Sequence, residues 1–208
     1  MKRIISLVLA AIMVLSFSAC KGSDEQKSPE STYSDPTYFD GKTAAKVEKG
    51  PALEALSAGK MELQTEEDGD YTSVTLGMTA EEFVPLFKEG EFQPAEHDGF
   101  YEYLPVGGQI FVSAENPSDG ACAIAQYGDV FGFSPTITTK EQIRNVMGEP
   151  TFEGMYSDAS SSNLIYGTAN ASCLMYQADG NELWFIFTSS DVFQSTVMCR
   201  SGKFIFNI

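Results

Sequence analysis

Basic side chains are scarce in this sequence, and their scarcity excludes a large class of partners. Lys and Arg together number 13 against 29 Asp and Glu, and the formal net charge is −16. Proteins that bind DNA or RNA neutralise phosphates with clustered Lys and Arg, so nucleic acid is not an expected partner. Neutral or cationic surfaces suit the chain better, although strong acidity also promotes solubility without any partner.

Histidine is almost absent as well. His97 is the only imidazole, and it lies in the turn-like segment 94–99, which we interpret as a surface loop. A single histidine excludes His-rich zinc sites and leaves a Ser-His-Asp triad dependent on that one residue. The GxSxG, P-loop and dinucleotide-binding glycine patterns are also missing. We therefore predict no cofactor, no metal site and no catalytic residue.

Cysteines are few, and no CxxC pair occurs among them, so neither a zinc knuckle nor a thioredoxin-like pair is indicated. Beyond Cys20 the chain contains Cys122, Cys173 and Cys199. An odd number allows at most one disulfide within one chain. We interpret the three as small buried residues, and a Cys173–Cys199 bridge is the alternative.

Long apolar runs are missing except near the amino terminus. Lys2 and Arg3 precede an apolar run over residues 4–17, which is shorter than the ~20 residues that a membrane-spanning helix needs. Small residues follow the run directly. A positive start, a short apolar stretch and small residues at the cut are typical of a secretory signal peptide. We predict that residues 1–19 are removed and take no part in the fold.

The end of this segment indicates lipid attachment. The residues Leu15-Ser16-Phe17-Ser18-Ala19-Cys20 resemble the lipobox of bacterial lipoprotein signal peptides, although Phe17 stands where that family usually has leucine. The resemblance implies a diacylglycerol on the Cys20 thiol and cleavage just before it. The chain would then be anchored at the outer face of a membrane. The polar, Pro-containing residues 20–42 are expected to form a flexible tether.

Residues 43–208 are predicted to form one α+β domain, with short helices packed on an antiparallel sheet. A helix is expected over 51–59, where Pro stands near the start and Gly just past the end. Two further helices follow Thr79 and Thr138. Strands are predicted over 61–65, 71–76, 100–104, 109–115, 121–127, 163–168, 172–177, 182–188, 195–199 and 203–206.

The two capped helices belong to a possible internal repeat. The segment 137–141, Ile-Thr-Thr-Lys-Glu, repeats 78–82, Met-Thr-Ala-Glu-Glu, at an offset of 59 residues. In each segment a Thr followed three residues later by Glu is a capping box, in which two side chains satisfy backbone N–H groups at the helix start. The pattern predicts tandem helix-then-strands repeats, about 77–134 and 136–208.

This repeat resembles the small α+β modules of the BamE and β-lactamase-inhibitor-protein type. The pattern starts with Gly-Met-Thr-x-x-Glu and closes with Met-Gly-Glu-Pro. The first copy lacks the terminal Gly-x-Pro, and the second lacks the leading Gly-Met. The resemblance implies a non-catalytic module that binds other proteins through its sheet or its loops. The matching residues are Gly77, Met78, Thr79 and Glu82 in the first copy, and Thr138, Glu141, Gly148 and Pro150 in the second.

Aromatic residues provide the candidate binding surface. Side chains alternate between the two faces of a strand, so Trp184 and Ile186 oppose the apolar set that includes Phe185. We expect the Phe185 set to pack beneath the helices, and Trp184 and Ile186 to lie on an exposed face with Tyr101 and Tyr103. Such a face is typical of protein interfaces. The alternative is that both faces are buried.

Together these patterns predict a membrane-anchored, surface-exposed lipoprotein that acts as a non-enzymatic protein-binding module. Its partners would be the membrane, through the lipid on Cys20, and an envelope or secreted protein. An alternative is a cell-envelope enzyme that hydrolyses wall polymers with carboxylates from distant positions. A two-lobed solute-binding lipoprotein would need a longer chain.

Overall fold

A computed structural model describes residues 49–67, 69–155 and 171–202. These residues form the predicted α+β fold, in which short helices accompany antiparallel sheets. The helices are α1 (Lys49–Ala58), α2 (Ala80–Phe83) and α3 (Lys140–Met147). The strands are β1 (Lys60–Gln64), β2 (Tyr71–Thr75), β3 (Gly90–His97), β4 (Phe100–Pro105), β5 (Gly108–Ser113), β6 (Ala121–Gln126), β7 (Phe152–Met155), β8 (Ser172–Ala178), β9 (Asn181–Phe187) and β10 (Phe193–Arg200).

Eight of the strands form one antiparallel sheet in the order β3-β4-β5-β6-β10-β9-β8-β7. Strands β3 to β6 follow α2, and strands β7 to β10 follow α3. The two sets meet where β6 pairs with β10, with Cys199 opposite Ala123. β1 and β2 pair separately as a two-stranded sheet.

The first face of the large sheet is covered by the helices and by the β1–β2 hairpin. α1 packs against β8, β9 and α3, and β1 packs against β6. The hairpin approaches the sheet closely at Gly108, where an added Cβ would lie 2.9 Å from Leu63 Cδ2 and 2.8 Å from the Ala125 carbonyl oxygen. The buried Gln126 amide donates a 3.2 Å hydrogen bond to the Glu62 carbonyl oxygen across this contact.

The second face of the sheet carries a separate apolar cluster. Its members come from β5, β6, β8, β9 and β10, together with Ala171. The members of this cluster on β6 and β10 are small residues, and larger side chains lie on the strands to either side. These residues are Phe111, Cys122, Ala123, Ala125, Ala171, Cys173, Met175, Trp184, Ile186, Val197 and Cys199.

Both predicted helix starts have a capping box, but the second box lies one residue later in the chain than predicted. The Thr79 backbone N–H donates to the Glu82 carboxylate at 2.8 Å, as predicted. In the second copy, however, the capping residue is Thr139, whose hydroxyl accepts from the Gln142 backbone N–H at 3.2 Å. The prediction of Thr138 and Glu141 was wrong by one residue. The Thr138 hydroxyl instead accepts from the Ser134 backbone N–H at 2.8 Å.

Two strands were not predicted, and the first of them contains His97. β3 was missed because Pro94 and the polar residues around it indicated a loop. β3 is an edge strand, and its side chains are mostly exposed. Pro94 lies in a register shift between Glu91 and Ala95, and sheets tolerate proline at such irregularities and on edge strands. The second, β7, is a short edge strand at the other side of the sheet. The predicted strands 163–168 and 203–206 lie outside the described residues.

The three cysteines of the domain are buried thiols, and the alternative Cys173–Cys199 bridge is wrong. Cys173 lies on β8 opposite Ile186, and Cys199 lies on β10 opposite Glu182. Strand β9 separates them, which places the two backbones roughly 10 Å apart. A disulfide requires Cα atoms within about 7 Å.

No helix among the described residues is long and apolar enough to cross a membrane.

Candidate functional site

Two of the four residues that were predicted to form an exposed sheet surface are buried. Trp184 and Ile186 are each 0% exposed and belong to the cluster on the second face. The Trp184 indole N–H donates a 3.0 Å hydrogen bond to the Glu182 carboxylate, and its ring lies 5.9 Å from that of Phe152. The expectation that Trp184 and Ile186 face solvent was therefore wrong, and both sheet faces are buried in the centre of the fold.

The other two predicted residues lie on the opposite face. Tyr103 pairs with Ile110 and Tyr101 with Val112, both of which belong to the core beneath the helices. Tyr103 is buried and its ring meets Phe83 edge to face at 5.0 Å. Tyr101 is half-buried. The structure thus does not bring Tyr101 and Tyr103 together with Trp184 and Ile186, because the two pairs occupy different sides of the sheet.

An open groove lies elsewhere, between α1, β1 and a turn after β6. We call it the α1–β1 groove. One end has a volume of about 480 Å³ and a second, adjoining end about 330 Å³, and Glu62, Phe131 and Gly132 line both. Both ends are partly open to solvent. The remaining lining residues are Pro51, Glu54, Ala55, Ala58 and Lys60 at the first end, and Tyr71, Asp129 and Val130 at the second.

Local periodicity explains why these residues line the groove. Along β1 the exposed Lys60 and Glu62 alternate with the buried Met61 and Leu63, as a half-buried strand requires. On α1 the buried residues face the core, while Pro51, Ala55 and Ala58 share another face at helical spacing. Because the two alanines are short, the groove has a low apolar wall on the helix side.

The opposite wall is the tip of a tight turn. Val130 and Phe133 exchange backbone hydrogen bonds of 2.9 and 2.8 Å, and the two residues between them both have positive φ, 53° at Phe131 and 82° at Gly132. Two central residues with positive φ are the mark of a type I′ turn, which prefers Asn-Gly. Phenylalanine is unfavourable there, since positive φ crowds its Cβ. The turn nevertheless presents a half-buried Phe131 ring to the groove.

The rim of the groove is acidic. Glu54, Glu62 and Asp129 are exposed carboxylates, and Lys60 is the single cation that lines the groove. Within the described part of the chain, every ion pair shorter than 4 Å lies elsewhere. Tyr71, which is 49% exposed, adds a second aromatic ring at the Asp129 end. The groove therefore combines apolar walls and two aromatic rings with three carboxylates that have no bound counter-charge in the described residues.

Sequence reasoning missed this groove for a topological reason. Its walls come from residues 51–62, from Tyr71 and from residues 129–132, which are separated along the chain. The Phe131-Gly132 pair was a usable turn signal, but an Asn or Asp before glycine is the stronger one. Nothing in any one of these three segments indicates that they face each other.

Burial disfavours the thiolate form of two of the three cysteines. Burial raises the pKa of Cys122 to about 11. Burial and the adjacent Glu182 carboxylate raise the pKa of Cys199 well above its ordinary value. The thiolate is the reactive form of cysteine, so both groups are protonated and unreactive at neutral pH. Glu182 itself is enclosed and accepts hydrogen bonds from Trp184 and Cys199.

No family model matches the chain, and no curated protein is similar enough to be recognised as a relative. Among solved structures the chain is similar to the crystal structure of a DUF4309 family protein (YjgB) from Bacillus subtilis subsp. subtilis str. 168. The identity is 14%, the similarity covers 71% of this chain and 92% of that chain, and the TM-score is 0.48. Nothing about the site is carried over at this level of similarity. Cys20, the predicted lipidation site, lies outside the described residues.

Proposed function

We propose that this protein is a lipid-anchored, exported binding module that holds a segment of another protein in the α1–β1 groove. The anchor is the diacylglycerol on Cys20, and the domain that begins with α1 works at the outer face of the membrane. Its partner is an envelope or secreted protein. The module acts by binding, and it catalyses no reaction.

The observation that carries this proposal is the aromatic turn at the edge of the groove. Phe131 occupies a backbone conformation that disfavours it, where Asn would be the preferred residue. Its half-buried side chain packs against the main core and also lines, together with Ala55 and Ala58 of α1, an open site of about 480 Å³. Aromatic residues, Phe among them, are enriched at protein interfaces.

The exposure of the groove carboxylates favours a binding function over the alternative of a wall-polymer hydrolase. A glycoside hydrolase uses a carboxylic acid whose enclosed setting keeps it protonated, opposite a second carboxylate. The groove carboxylates Glu54, Glu62 and Asp129 are all exposed. The enclosed carboxylate of Glu182 is bonded to an indole and a thiol on the second face of the sheet. The exposed carboxylates of the groove are therefore suited to orienting a bound partner.

A displayed library of random peptides tests the proposal. The purified domain, with Cys20→Ala to keep it soluble, would select peptides that bind it, and the Phe131→Asn variant would be used for counter-selection. Asn suits the turn and removes the ring, so the variant should keep its fold, as judged by circular dichroism and its urea midpoint. Leu86→Asn is the control, since Leu86 is an exposed apolar residue outside the groove.

We expect peptides that bind the wild-type domain and Leu86→Asn equally, and that lose most of their affinity for Phe131→Asn. A library that yields no peptide distinguishing wild type from Phe131→Asn would remove the groove as a binding site, and with it the proposed function.

A further inference from the structure

We infer that the occupant of the α1–β1 groove is a cationic segment, in which a Lys or Arg side chain lies over Phe131 and reaches the carboxylates of Glu62 and Asp129. This inference rests on the proposed function and names the chemistry of the partner. Its premises are the charge of the rim, the apolar walls and the two aromatic rings, all of which lie within the described residues.

Among the described residues, the lining of the groove has a net negative charge. Glu54, Glu62 and Asp129 oppose Lys60 alone among the lining residues, and the ion pairs present in the described chain lie outside the groove. The chain as a whole has a net charge of −16. An anionic segment would be repelled by both the rim and the surrounding field, whereas a cationic one would be steered towards the groove.

The second premise is the apolar surface between the charges. Lys and Arg are amphipathic, because a stem of three or four methylene groups carries the charged head. Here such a stem can lie along Ala55 and Ala58, while the head reaches the carboxylates at the rim. A purely polar cation such as a hydrated metal ion would leave this apolar wall uncovered. The groove therefore fits a cationic side chain better than an inorganic cation.

Two aromatic rings line one end of the groove. A guanidinium or ammonium group over the face of an aromatic ring is attracted by the negative charge of the ring face. Phe131 and Tyr71 line the end of the groove that also contains Glu62 and Asp129. This arrangement of aromatic rings beside carboxylates is suited to a cation in contact with both.

Labelled synthetic peptides test the inference. One short peptide carries three Arg in a Gly-Ser background, and its twin carries citrulline, a neutral isostere, at the same positions. Fluorescence anisotropy would measure the affinity of each for the soluble Cys20→Ala protein. We expect the Arg peptide to bind at least about tenfold more tightly than its citrulline twin, and to weaken steeply between roughly 50 and 500 mM NaCl.

Variants of residues that line the groove test whether the Arg peptide binds there. We expect Glu62→Gln and Asp129→Asn each to weaken the Arg peptide by about three- to tenfold, and Phe131→Asn to weaken it further. Glu96→Gln is the matched control, because Glu96 is an exposed carboxylate on the edge strand β3, outside the groove. It should leave the affinity unchanged.

The other outcomes are equally definite. If the citrulline and Arg peptides bind alike and both depend on Phe131, the groove binds peptides without charge selection, and the inference fails while the proposed function stands. If all the carboxylate variants, Glu96→Gln included, weaken the Arg peptide equally and Phe131→Asn has no effect, binding is diffuse surface attraction, and the inference fails. If library peptides also ignore Phe131, the proposed function fails too.

Discussion

The indole N–H of Trp184 donates a 3.0 Å hydrogen bond to the carboxylate of Glu182, the residue two places earlier on the same strand and the same face. Both residues are buried, and Cys199 on the neighbouring strand points its thiol at the same carboxylate oxygen, 3.7 Å away. The carboxylate is therefore held by two donors inside the second apolar cluster. This contact explains how an acidic residue is accommodated within an otherwise apolar strand.

Truncation of Trp184 should be severely destabilising. Trp184→Ala removes a fully buried ring and leaves the Glu182 carboxylate with one donor fewer, and we expect the free energy of unfolding to fall by about 3–5 kcal/mol. Trp184→Phe should cost less, because it keeps most of the packing. Urea unfolding followed by circular dichroism measures both. A loss below about 1 kcal/mol for Trp184→Ala would show that the ring is not part of the core.

The corrected helix cap makes a second prediction. Thr139→Ala should lower the free energy of unfolding by about 1 kcal/mol, because the Gln142 backbone N–H loses its acceptor. Thr139→Ser keeps the hydroxyl and is the control, which should be nearly neutral. Equal urea midpoints for the alanine and serine variants would mean that this hydroxyl does not cap α3.

Close packing at Gly108 should make that position intolerant of a methyl group. In Gly108→Ala the new Cβ would lie 2.8 Å from the Ala125 carbonyl oxygen and 2.9 Å from Leu63, so we expect a loss of about 1–3 kcal/mol from overpacking. Gly128→Ala is the matched control, since the nearest neighbour of its new Cβ would be the Gln126 side-chain oxygen at 3.8 Å, an ordinary van der Waals distance. Thermal unfolding should separate the two variants clearly. Equal melting temperatures would contradict the contact between the hairpin and the sheet.

The buried Cys122 thiol predicts a loss of stability in alkali. Its pKa is raised from 9.0 to about 11 by burial, so between these values the unfolded chain releases a proton that the folded chain retains. The folded state then binds more protons than the unfolded state, and stability falls as the pH rises above 9. Urea midpoints measured at neutral and alkaline pH test this. In Cys122→Ala the decline should be smaller, and an identical decline would exclude the thiol as its source.

Lipid attachment is tested by one substitution in the full-length chain. Cys20→Ala removes the thiol that would carry the diacylglycerol, so the protein should move from the membrane pellet to the soluble fraction. Two acyl chains anchor a protein firmly, at about 0.8 kcal/mol per buried CH2. A substitution of Cys122 is the control and should leave the protein in the pellet. Cys20→Ala protein that stays membrane-bound in high salt would disprove the lipid anchor.

The features that could be predicted from the sequence are those that depend on neighbours along the chain. Alternation identified β9 and separated Trp184 from Phe185, and the Pro-to-Gly pattern placed α1 within two residues of its observed bounds. Proline disfavours the interior of an α-helix, and α2 gives way to a 3-10 turn over Val84–Leu86, which contains Pro85. Short-range hydrogen bonding and steric restriction decide these elements, and both are encoded within a few residues.

Other features were decided only by the tertiary structure. Alternation showed that Trp184 and Phe185 face opposite ways, but not that both faces of the central strands are buried. Pro94 and its polar neighbours indicate a loop, yet the residues on both sides of Pro94 pair with β4, and Pro94 itself lies in the register shift between Glu91 and Ala95. The α1–β1 groove exists because α1, β1 and the Phe131 turn meet in space. Such contacts depend on the packing free energy of the whole domain, which no single segment of the sequence contains.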